Sequence, residues 1–462
     1  MRLFLPLLLT ALPVLARLRA GAHAADITPQ EWPVRLIGNF GLTLAQSAHD
    51  PLHVRAIVLE EGANRVAIAV IDSCLVKRDV MDEAKAIASK RTGIPTSHML
   101  IAATHTHSAP PSDASKRDSL EGRYVQRIID QTANAIATAH SRLEPARIGY
   151  AVRYVPEELF NRRWFMTDGS IPPNPFGETH DKARMNPPAG SRDLIHPAGP
   201  TDPGFSIVSI RNEAGKPLAL LGNYSLHYVG GIPANQVSSD YFGEFAHQVS
   251  KALAQDNPSF VAILSNGTSG DVNNIDFVHP RPRAEPMQRI REVATRIAGH
   301  AVEASRTMEY TGTAELRSAE RELELAYRKP TPAQLTFAQA ALKEADESKL
   351  PRNAKAYAER ALRLQEGPAT ALIKLQAMRI GGFAIAAIPF EVFTEIGLAI
   401  KERSAVKPVF TIELANGHWG YLPTPRHHEL GGYETWLGTN NVEKGASVKI
   451  TDVILELLER VK

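Results

Sequence analysis

The chain has 462 residues, 44% hydrophobic and 22% charged, with 52 Lys+Arg against 50 Asp+Glu. A disordered chain would carry fewer apolar residues and more net charge, and a nucleic-acid binder would be more basic, so both classes are excluded. The single cysteine, Cys74, excludes an internal disulfide, and stability has to come from a large buried core.

Residues 1–24 read as a secretory leader: Arg2, an apolar run from Leu3 to Ala16, and the small-x-small triplet Ala22-His23-Ala24. A cut near Ala24 leaves a catalytic chain of residues 25–462, secreted or periplasmic. Arg17 and Arg19 follow the apolar run, so an uncleaved anchor is the alternative. Without Arg2, Arg17 and Arg19 the basic count falls from 52 to 49, against 50 acids. The apparent basicity therefore belongs to the leader.

Residues 52–59 and 65–71 read as strands around a turn, 77–91 as a helix ending at Gly93, and 98–103 as a strand. A long helix is predicted over 121–141. Residues 155–203, rich in Pro, Gly, Asn and Arg, read as a long surface loop. Residues 205–211 and 217–224 form a second hairpin pattern, 241–254 a helix, 260–264 a strand and 286–306 a helix. Residues 331–366 read as one or two exposed helices broken near Pro351. Residues 371–380 and 383–388 flank Gly381-Gly382, a hairpin signal. A helix over 390–402, a strand over 409–414 and a closing helix over 446–461 complete the pattern. Strands and helices interspersed in this way predict an α/β or mixed α+β class: one large domain, a mixed sheet flanked by helices and a helical insertion near 331–366.

Chemistry-bearing residues recur where predicted strands end. His105 and His107 follow the strand over 98–103; in extended backbone, residues two apart face the same side and can share a metal or a substrate. His227 and Glu391 each follow an apolar strand, although a lone histidine there is often structural and a carboxylate can cap the next helix. Tyr421 lies in NGHWGYLPTP and would ordinarily be a packed aromatic. SNGTSGDVNN, residues 265–274, has the glycines of a tight turn with exposed amides. Its Asp271 either orients a histidine ligand or closes the turn. Cys74, within an apolar strand pattern, reads as a small buried residue rather than a nucleophile.

ATHTHSAPP, residues 103–111, resembles the histidine motif of neutral, non-lysosomal ceramidases. The resemblance continues in order through DITP (26–29), FNRR (160–163), DPGFSIVSI (202–210), NYSLH (223–227), SSDYFGEF (238–245), SNGTSGDVNN, IPFEVFTEIG (388–397), NGHWGYLPT (416–424) and GGYETW (431–436). It implies an α/β catalytic domain with one zinc per chain, ligated by His105, His227, Glu391 and Tyr421. His107 and Arg162 are then substrate-facing, with His107 and Tyr421 catalytic. Two nitrogens and two oxygens around an open position suit catalytic zinc. The implied reaction is hydrolysis of a small-molecule or lipid amide, compatible with peripheral contact with a membrane; a zinc esterase, a non-lipid amidase and a metal-bound binding protein without turnover are the alternatives.

Two departures from the family pattern matter. The chain ends where relatives continue into an immunoglobulin-like sandwich. Asn273 stands where the family turn GDVSPN carries a serine regarded as essential. Asn273 is therefore the third candidate catalytic and substrate-binding residue, and its presence puts ceramide itself in question as the substrate.

Overall fold

Two β-sheets lie face to face, each backed by helices, in the computed structural model, which describes residues 17–38, 41–113, 116–255 and 257–462. The first sheet has eight strands: β1 (Arg19–Asp26), β2 (His53–Glu61), β3 (Asn64–Ile71), β4 (Met99–Ala103), β5 (Glu144–Tyr154), β6 (Gly204–Asn212), β7 (Pro217–Tyr224) and β8 (Val261–Asn266), in the order β8-β7-β6-β5-β1-β2-β3-β4. Its outermost pairs, β3–β4 and β7–β8, are parallel and the others antiparallel, so the sheet is mixed as expected. The second sheet runs β9 (Leu316–Ala326), β10 (Thr370–Ile380), β11 (Phe383–Ile388), β12 (Val409–Glu413).

Side-chain alternation explains the layering. Ile57, Ile68, Leu100, Val208 and Ile263 of the first sheet point toward Met378, Ile380, Ile385, Phe410 and Ile412 of the second, forming a dry seam. The opposite face of the first sheet carries α1 (Arg78–Thr92) and α2 (Leu120–Ser141) on one half. The other half carries α3 (Asp240–Leu253) and α4 (Gln288–Thr307). The outer face of the second sheet is covered by α7 (Thr394–Arg403) and α9 (Ala446–Arg460). The sequence reading anticipated one sheet between helices; the second sheet replaces helices on one face because β10–β12 are apolar on both sides.

The helical insertion appears where expected, as α5 (Pro332–Lys343) and α6 (Ala354–Glu366). Thr331 and Gln334 form a capping box at the start of α5. Among the described residues no helix is long and apolar enough to cross a membrane.

Three expectations need correction. Residues 155–203 are not simply loop: Arg163–Met166, Ala183–Met185 and Leu194–Pro197 pair into a small sheet. Strands β5 and β9 were not anticipated, because charged residues interrupt their apolar pattern. The third concerns the leader. Its apolar run lies outside the described residues, but Ala22-His23-Ala24 lies inside β1, in register with β2 from Arg19↔Glu60 to Asp26↔His53. Ala20 and Ala22 are buried in the seam, together with Leu18 just before the strand. A cut after Ala24 would remove most of a central strand, so the boundary at residue 24 does not fit this sheet.

Candidate metal centre

The site lies at one end of the sandwich, beyond the carboxyl ends of β4, β7, β8, β11 and β12, as crevices in α/β sheets generally do. His105 follows β4. Its backbone departs from the extended form assumed above, with φ of 75°. That left-handed conformation is uncommon for a non-glycine residue. It is held by a hydrogen bond from the His105 N–H to the Ser73 carbonyl, 2.9 Å. The bend still brings His107 back to it: the two Nε2 atoms are 3.2 Å apart.

His227, beyond β7, completes the group, with Nε2 3.0 Å from that of His105. Glu391, beyond β11, places Oε2 3.2 Å from His105 Nε2 and 3.8 Å from His227 Nε2. His105, His227 and Glu391 are all buried, and their ligand atoms lie within 4.8 Å of one another. Capping of α7, the alternative reading of Glu391, falls to Asp271 instead, its Oδ1 accepting the Thr394 N–H and hydroxyl at 2.9 Å each. Asp271 Oδ2 accepts from Asn161, so Asp271 closes the turn, and among the described residues it hydrogen-bonds no histidine.

The second neighbours of the histidines fix their tautomers. His105 Nδ1 donates to the Cys74 carbonyl at 2.8 Å, and His227 Nδ1 to the Ser269 carbonyl at 3.1 Å. A neutral imidazole that donates from Nδ1 presents a lone pair at Nε2. Two such lone pairs and a carboxylate oxygen therefore converge on one point, and Glu391 Oε2 is buried without a hydrogen-bond partner. A cation at that point satisfies all of them, so the residues fit zinc. Cys74 lies behind the ring, its Sγ 3.7 Å from His105 Nδ1, and is a buried packing residue.

The electrostatics set His105 apart from the other two histidines. Burial and the neighbouring cations hold His227 and His107 well below the ordinary histidine range. Burial also lowers His105, but Cys74 and Glu391 outweigh it and raise the imidazole well above that range. Burial raises Glu391, while His105, Tyr421 and Arg162 bring it below the usual carboxylate value. A cation bound at His105 Nε2 would take the place of any proton there.

Tyr421 reaches the cluster because Glu391 and Tyr421 pair as neighbours on two short parallel strands. Its phenol lies in the field of Glu391 and Arg162, and burial keeps it protonated. Arg162 is more constrained than its substrate-facing expectation implied. Its Nε donates to Glu434 at 3.1 Å, its Nη2 to the Gly270 carbonyl at 2.9 Å, and its Cζ sits 5.3 Å over the Tyr421 ring. His107 stacks on Tyr228 at a centroid distance of 3.7 Å, and its Nδ1 is buried without a partner.

Asn273 lies on the next short strand, paired with Phe160. Its Nδ2 donates to Asn186 Oδ1 at 2.7 Å and its Oδ1 accepts the Ile275 N–H at 2.9 Å. No hydrogen bond joins it to the histidines or Glu391 among the described residues, so one remaining N–H is its means of reaching a substrate.

Several supporting residues were missed by sequence reasoning. Glu413, fully buried, accepts from Ser269 Oγ at 2.6 Å and from the Val392 N–H at 2.7 Å, behind His227; burial pushes its carboxyl up to about 8. Glu434 clamps Arg162 and Arg163 together. Both are glutamates in stretches whose local pattern carries no catalytic signature, and GGYETW was the one signal near Glu434.

The chain matches the model of the neutral/alkaline non-lysosomal ceramidase N-terminal region over residues 18–277. A solved ceramidase complexed with C2 superposes with a TM-score of 0.71 at 19% identity, over 96% of this chain and 75% of that one. Neutral ceramidase from Pseudomonas aeruginosa superposes with a TM-score of 0.69 at 19% identity, over 96% of this chain and 74% of that one. At that identity the structural match speaks for the fold.

Proposed function

The chain belongs to the neutral/alkaline non-lysosomal ceramidase family and is a ceramidase-like hydrolase, and from that premise we propose that it cleaves an amide bond of an N-acyl substrate, using one zinc ion held by His105, His227, Glu391 and Tyr421. The observation that carries this reading is the convergence of the two Nδ1-anchored histidines on the unpartnered oxygen of Glu391. Bound zinc supplies an acidified water and polarises the scissile carbonyl.

The chain's own residues do the rest. His107, held neutral and stacked on Tyr228, is placed to take a proton from the attacking water and deliver it to the departing nitrogen. The water oxygen bonds to the acyl carbon, the C–N bond breaks with its electron pair on nitrogen, and the amine leaves protonated. Tyr421, kept protonated, donates to the oxygen that gains negative charge. Arg162 positions the phenol from behind, tied by Glu434 and Gly270.

Ester hydrolysis or a non-lipid amide is the second reading, favoured by Asn273 at the family's serine position. Export follows from the apolar run Leu3–Ala16, with the leader ending before Leu18 rather than at Ala24. The test is a metal assay joined to a substrate panel: purified protein should hold about one zinc and hydrolyse at least one of a ceramide, an N-acyl amino acid or a simple ester. His107→Ala should lose turnover while keeping zinc and ligand binding. Full zinc retained by both His105→Ala and His227→Ala overturns the ligand assignment, and His107→Ala with undiminished turnover overturns the proton-transfer role.

A further inference from the structure

A cavity of about 500 Å³ adjoins the site where the helical insertion meets the loop carrying Glu434. Its walls are largely apolar: Ile171, Pro172, Met185, Pro351, Tyr433 and Trp436. One of its residues leads to the centre and a second to Asn273. The Tyr433 ring lies against that of Tyr421, centroids 5.7 Å apart, and Asn186 is the hydrogen-bond partner of Asn273. The Asn186 backbone N–H also donates to the Arg162 carbonyl, so the cavity wall and the catalytic segment are one continuous piece.

The charge in this cavity is unbalanced. Arg184 and Arg352 both line it, and neither side chain has an ion pair or hydrogen bond among the described residues. The one acid in the lining, Asp181, accepts at Oδ2 from Trp436 Nε1 at 2.8 Å while its Oδ1 is buried without a hydrogen-bond partner, so the lining sets two guanidinium groups against a single carboxylate. Guanidinium groups with free forks beside an apolar hollow suit a carboxylate attached to an apolar chain. The volume suits a single group of drug-like size, not a pair of long chains.

We propose that the cavity selects an amide that carries a carboxylate, an N-acyl amino acid, with its apolar part in the hollow and its carboxylate on Arg184 and Arg352. This rests on the amidase reading above and deepens it, since a ceramide has no anionic group to meet these arginines. Asn186 and Tyr433 then set the distance between the bound group and the scissile bond.

Calorimetric titration of the zinc-loaded protein with N-lauroylglycine and with N-lauroylethanolamine compares the same chain with and without the charge. N-lauroylglycine should bind at least about tenfold more tightly, the scale of one charged hydrogen-bonded contact. Arg184→Gln with Arg352→Gln should erase that ratio by weakening the glycine conjugate alone. Met185→Trp, which fills the hollow, should weaken both. Equal affinity for the two probes, no binding of either, or an unchanged ratio in the double variant overturns the proposal. Hydrolysis is followed on the same samples. Preferential binding of the glycine conjugate without cleavage of any amide would sink the amidase reading and leave the cavity assignment standing.

Discussion

Deleting residues 1–24 should unfold the protein, whereas deleting residues 1–16 should not. The longer deletion removes Arg19–Ala24, six of the eight residues that β1 sets in register with β2, and with them every pairing between β1 and β5. It also removes Leu18, Ala20 and Ala22 from the seam. Burial of a leucine side chain is worth about 2 kcal/mol and each alanine methyl about 0.8. The lost ladder bonds add about 1 kcal/mol each. With about six such bonds the total approaches 10 kcal/mol, within the range of a whole domain's stability of about 5–15 kcal/mol. The Arg19–Glu60 ion pair is half-exposed at the arginine and adds little. Urea unfolding of the two truncated chains, followed by circular dichroism, is the assay. The chain from Leu18 or earlier should show a cooperative transition, and the chain from Ala25 should be insoluble or show none. A shared midpoint would refute the assignment of β1 as a required central strand. Amino-terminal sequencing of exported protein should likewise find a start at or before Leu18.

Four further outcomes are expected. Asn273→Ala should slow turnover roughly a hundredfold, the cost of losing one polarising donor, with zinc content unchanged; Asn273→Ser should keep most of the rate, and zinc loss in either variant would contradict the reading that Asn273 holds no part of the proposed ligand set. Gly38→Ala should impair activity more than folding, because Gly38 has a φ of 103° and an added Cβ would lie 2.5 Å from the His107 ring; wild-type kinetics in this variant would show that the loop gives way freely. Lys85, buried and bonded to Asn416 Oδ1 at 2.7 Å, has its ammonium pushed down to about 7, chiefly by burial. Because the unfolded chain holds that proton more tightly, wild-type stability should rise relative to Lys85→Met between about pH 7 and pH 10.5, and a pH-independent difference would refute the reading. Stripping the metal with a chelator should abolish hydrolysis, and zinc should restore it.

Much of this architecture is legible from local pattern. The hairpin at Gly381-Gly382, α1 ending at Gly93 with φ of 74°, and the helix pair flanking Pro351 all follow from short-range chemistry that the fold respects. The histidines and Glu391 were legible as residues that end apolar strands. What local pattern could not carry was partnership across the chain. β9 reads as a polar segment until its neighbour β10 is known. Ala22-His23-Ala24 reads as a cleavage triplet until β2 is seen to pair with it. The convergence of Glu413 behind His227 depends on contacts between segments more than a hundred residues apart.

His105 and His227 follow strands of the eight-stranded sheet, whereas Glu391 and Tyr421 belong to the segment built around the second sheet. Neither half of the polypeptide holds all four proposed ligands. A fragment confined to residues 18–277 would contain both histidines and Asn273, yet would lack the carboxylate, the phenol and the apolar lid over its own seam. Dissection into independently working pieces is therefore closed to this enzyme: assembly of the two layers and assembly of the reactive centre are the same event.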